Sequence, residues 1–110
     1  PAVTGDAALT GRQPLVVIRF DREDVAFQDP LYQAVSAALQ RKSDAIFDLV
    51  AVSPAGGSTG EVALASTNAK RNAEDVLRVL SNMGLPSDRV TLSATSSYDA
   101  AVNEVRIFVR

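Results

Sequence analysis

Met83-Gly84-Leu85-Pro86-Ser87-Asp88-Arg89-Val90 is the stretch from which the rest of this chain is read. A helical period runs up to Met83. Gly84 suits the left-handed position just past a helix end, and Pro86 cannot continue the helix. A β-branched run begins at Val90. The segment therefore predicts a helix, a tight turn and a strand in immediate succession.

Working back from it, Ala65, Ala69, Ala73, Val76, Leu80 and Met83 make one apolar stripe at helical spacing over residues 61–83. Alanine in the first half lets such a helix approach a sheet closely. Working forward, residues 90–96 (Val-Thr-Leu-Ser-Ala-Thr-Ser) alternate apolar and polar, as a half-exposed strand does. Residues 97–103 read as a loop. Residues 104–110 alternate again, with Val105, Ile107 and Val109 on one side.

The first half repeats the theme. Residues 14–20 (Pro-Leu-Val-Val-Ile-Arg-Phe) and 45–52 (Ala-Ile-Phe-Asp-Leu-Val-Ala-Val) read as buried strands. Between them, Asp29-Pro30 predicts a helix start, with Asp29 as N-cap and Pro30 at the first helical position. Leu31, Val35, Ala38 and Leu39 share one face, and Arg41 and Lys42 suit the negative end of the helix dipole. Residues 54–60, rich in glycine, read as a flexible loop. Residues 1–13 are small, polar and aperiodic, and are expected to form an arm or linker ahead of a domain at 14–110.

The order β-α-β-α-β-β, with two helices and four strands, predicts an α/β (α+β) two-layer sandwich. Two helices do not cover both faces of a four-stranded mixed sheet, so they are expected on one face, with the other partly solvated. The alternation of the last two strands agrees, since doubly covered strands are apolar throughout.

Composition narrows the chemistry. The 110 residues, 46% apolar and 22% charged, suit one globular domain. There is no Cys and no His, which excludes a thiol nucleophile, a histidine base and the usual zinc ligand sets. A formal charge of -2 and few aromatics argue against nucleic-acid binding. No apolar run reaches the length of a membrane helix, so no direct membrane insertion by this chain is expected. A start at Pro1 rather than Met leads to the expectation of a processed product or excised fragment, from which a targeting segment or anchor could have been removed.

Three segments together carry a resemblance. Phe20-Asp21 ends the first strand, Gly84-Leu85-Pro86-Ser87-Asp88-Arg89-Val90 links the second helix to the third strand, and Asn103-Glu104-Val105-Arg106-Ile107 opens the last strand. In order and spacing they resemble the OmpA-like peptidoglycan-binding domain of outer-membrane and motor-stator proteins, over residues 15–110. The resemblance implies this fold and a periplasmic or cell-envelope location. It also implies a ligand, the diaminopimelate of peptidoglycan, held in that family by an Asp after the second strand and an Arg in the long helix. Aligned without gaps on Gly84, the Asp position falls on Gly57 and the Arg position on Asn72. A shift of one residue places Arg71 on the Arg position. No acidic residue lies between residues 49 and 60 to take the Asp role. A ligand ammonium buried there without a partner costs roughly several kcal/mol.

The candidate ligand-contact residues are therefore Gly57, Thr59, Lys70, Arg71 and Asn72, named because they stand where the resembled family holds its ligand. The plainer reading of each is ordinary: a flexible glycine loop for the first two, an exposed charged helix face for the next two. Glu74 and Arg78, four apart, have the spacing of a helix ion pair. The glycine loop lacks the Lys-Ser/Thr end of a phosphate-binding loop. Asp21, Glu23 and Asp24 lack the spacing of a calcium loop, with Arg22 among them. Ser53, Ser58 and the serines of 93–97 have no histidine to activate them. The expectation is no enzyme, no cofactor and no metal. What remains is a structural or interaction module of the envelope that contacts a protein partner through its sheet edge, open sheet face or arm. The alternative is a cell-wall anchor in which Arg71 holds the peptide carboxylate and Asn72 and Thr59 supply neutral hydrogen bonds.

Overall fold

A computed structural model describes residues 13–21 and 25–110. The elements run β1 (Val16–Arg19), α1 (Gln28–Arg41), β2 (Phe47–Pro54), α2 (Thr59–Asn82), a 3-10 turn (Ser87–Arg89), β3 (Val90–Ser97) and β4 (Glu104–Val109). The four strands form one mixed sheet in the order β1-β4-β2-β3. β4 is antiparallel to both of its neighbours, and β3 runs parallel to β2. Both helices pack on the same face, so the two-layer architecture expected from the residue pattern is the one found.

Strand periodicity divides the core. On the helix side, Phe47, Leu49 and Ala51 of β2 and Val105 and Ile107 of β4 meet Leu31, Val35 and Ala38 of α1 and Ala69, Ala73, Val76 and Leu80 of α2. On the other side, Val50, Val52, Phe108 and Ala100 make a second, smaller cluster. β4 thus buries residues on both faces, where its alternation predicted one. It lies between β1 and β2, and a central strand has no open flank.

Local chemistry sets the element ends. Gly84 has φ 97°, and its N–H donates to Ser81 O (3.0 Å) while that of Leu85 donates to Leu80 O (3.2 Å). This pair of bonds is a Schellman closure of α2, as the Gly84-Leu85-Pro86 sequence predicts. α1 departs from expectation. It starts at Gln28, its N-cap residue Phe27 makes no side-chain capping bond, and Asp29 lies in the first turn, where its charge still meets the dipole. Packing decides this start: the Phe27 ring meets Phe20 edge-on at 5.8 Å. Of the arm expected at residues 1–13, only exposed Gln13 lies within the described residues. Arg22, Glu23 and Asp24 lie outside them.

Candidate functional site

The loop between β2 and α2 is organised around capping. Ser58 Oγ accepts the Glu61 N–H (3.2 Å), and Glu61 Oε1 accepts the Ser58 N–H (2.8 Å). This reciprocal box satisfies two donors that a helix start otherwise leaves bare. The bond to the Ser58 N–H, then that to its hydroxyl, hold the Glu61 carboxyl below its usual pKa. The signal was present in the sequence as Ser58-Thr59-Gly60-Glu61, and it places the helix start at Thr59, two residues ahead of the expected one.

Gly57 has φ 117°, a conformation that L side chains rarely adopt. A Cβ there would stand 3.2 Å from Glu61 Oε1. An aspartate at this position would meet backbone strain and would set a second carboxylate against the one that caps the helix. Glycine at 57 is thus part of how α2 begins. Thr59, the first helical residue, is exposed beside it.

The five sequence-derived candidates do not converge on one pocket. At 1.5 Å per residue, α2 separates Thr59 from Arg71 by about 18 Å. With Ala69 and Ala73 against the sheet, helical geometry turns Arg71 to the outer surface, where it is exposed. Lys70 lies on one flank, in a cleft of about 290 Å³ with Glu74, Leu92 and Ala94. Asn72 is half-buried on the opposite flank, seven residues from Val79, which helps line the gap toward α1. Arg78 pairs with Asp75 at 3.1 Å, not with Glu74 as its spacing predicted; the i,i+3 geometry is the one realised.

A different surface stands out. β3 is an edge strand of eight residues, with one side paired to β2 and, among the described residues, no strand on the other. Val-Thr-Leu-Ser-Ala-Thr-Ser-Ser carries no charge and no proline. It is open on both faces, including the helix side, where Leu92 is 44% exposed and Ala94 is also exposed. The alternation had predicted cover on one face. α2 sits mainly over β2, so its shadow stops short of the edge. A long, uncharged edge is a template for another strand.

The open sheet face carries two polar groups that the sequence did not reveal. Glu104, 6% exposed, lies 2.9 Å from Arg106 and 3.6 Å from Arg19, its direct neighbour across β1 and β4. At the other end, Asp48 accepts from Thr91 (2.6 Å) and from Arg110 Nε (3.0 and 3.2 Å). These pairs rim the Val50, Val52 and Phe108 cluster. Between the helices, Tyr32, Val35, Leu39, Met83 and Leu85 line a shallow groove of about 340 Å³. No helix of the described residues is long and apolar enough to cross a membrane. No protein-family model and no curated protein sequence matches this chain.

Proposed function

We propose that this chain is a non-enzymatic interaction module of the bacterial cell envelope. In this reading it is an OmpA-like domain, periplasmic or envelope-associated, that belongs to a larger assembly. Its ligand positions no longer hold peptidoglycan, and it meets protein through the β3 edge. The observation that carries the reading is that edge: eight uncharged residues, five of them exposed and on both faces of the sheet. Further support comes from Gly57, where the geometry disfavours the aspartate the family uses, and from the dispersal of Lys70, Arg71 and Asn72 around α2. The envelope assignment rests on the three sequence segments that resemble the family.

Co-sedimentation with purified diaminopimelate-type peptidoglycan tests this, beside an OmpA-like domain that keeps the Asp and Arg. The chain is expected to stay in the supernatant while the control pellets. If it pellets, and Arg71→Ala or Asn72→Ala abolishes pelleting, the chain is a cell-wall anchor and the reading falls.

A further inference from the structure

We infer that the partner of the β3 edge is a second copy of this chain, docked about a two-fold axis perpendicular to the sheet that passes midway between the two facing Ser93 residues. This rests on the reading of β3 as a protein-contact surface and names what occupies it.

The argument starts from register. Antiparallel self-pairing centred on Ser93 sets Thr91 opposite Thr95 of the second copy on the open face. It sets Leu92 opposite the second copy's Ala94 on the helix face, so both helices stay on one side of a continuous sheet. Hydroxyl pairs of this kind favour pairing, and no like charges face each other. The half-exposed Leu92 gains cover from a small residue that leaves room for it.

The flank of α2 supplies the selectivity. Lys70 and Glu74 line the same cleft as Leu92, Ser93 and Ala94. Because α2 returns antiparallel to β2, Lys70 falls toward the Ala94 end of this cleft and Glu74 toward the Leu92 end. The four steps from Lys70 to Glu74 span about 6 Å of helix and two strand steps about 7 Å, so the spacings are comparable. The two-fold then brings each Lys70 against the Glu74 of the other copy, twice. Neither side chain has an ion pair or hydrogen bond among the described residues.

Closure favours the symmetric arrangement over a chain of copies. The other sheet edge, β1, has four residues, and pairing it with the eight of β3 would leave half of β3 bare. The isologous pair matches strand with strand along its length.

The test is sedimentation equilibrium across a wide concentration series, with far-UV circular dichroism to confirm that each variant is folded. The wild type is expected to dimerise. Ser93→Lys sets like charges directly opposite each other, and Lys70→Glu sets glutamates against Glu74. Each is expected to weaken the dimer by about tenfold or more. The double reversal Lys70→Glu/Glu74→Lys is expected to restore it. The chain has no cysteine of its own, so disulfides report register cleanly. Ser93→Cys should cross-link on oxidation, its Cα atoms lying about 4.5–5.5 Å apart. Thr91→Cys alone should not, with its Cα atoms about 14 Å apart. Thr91→Cys/Thr95→Cys should cross-link again. A dimer indifferent to Ser93→Lys, with no Ser93→Cys cross-link, overturns the proposal. A chain that stays monomeric but binds a labelled peptide of residues 90–97 overturns self-pairing and keeps the edge as a contact surface. A monomer that ignores the peptide removes both.

Discussion

Glu61 and Ser58 show how much one pair of residues decides here. Their reciprocal bonds start α2, and the turn just before them holds Gly57 at φ 117°, where a side chain would be strained and its Cβ would stand 3.2 Å from the capping carboxylate. The bonds that lower the Glu61 pKa favour its charged form in the folded state only. Its contribution is therefore full above the ordinary carboxylate range and is lost as pH falls through the lowered value. Glu61→Gln should be less stable than wild type in urea at neutral pH, and the gap should close on acidification below that range. A gap that persists in strong acid would mean that the charge is not what caps the helix. The capping box is spelled out in four consecutive letters. Glu104 is not: its partner Arg19 is 85 positions earlier, and only the β1–β4 register joins them.

At the scale of elements, α2 organises the molecule. Its 24 residues run the length of the sheet, and its alanines 69 and 73 let it approach β2 closely. Leu80 is fully buried, whereas Leu64, on the same helix, is 63% exposed. Leu80→Ala should cost about 2–5 kcal/mol by chemical denaturation, through lost burial and the cavity left behind. Leu64→Ala should stay within about 0.5 kcal/mol. Equal effects would refute the face assignment. The apolar stripe gave this face correctly for four of its six members, and left Ala65 and Met83 only half-buried near the helix ends. Helical period is a local property, so it survives in the sequence. The start of α1 does not, because Phe27 is held by the Phe20 ring, seven positions earlier, rather than by a capping side chain.

For the whole molecule, strand order is what matters. β4 and β2 are central and β3 is an edge, so amide hydrogen exchange should be slowest in β2 and β4 and faster along β3. Protection along β3 should rise with protein concentration if copies pair there. Uniform protection at high dilution would contradict the open edge. The sequence by itself determined the element order, the two-layer class, the helix faces and the Gly84 closure, because periodicity, caps and turn residues act over a few positions. Tertiary structure alone decided that the last strand lies inside the sheet and the third at its rim. It also decided that Lys70, Arg71 and Asn72 point three ways, and that Glu104 is buried between arginines. Those outcomes depend on which distant strands become neighbours, and on how far a helix of fixed width can reach across a sheet.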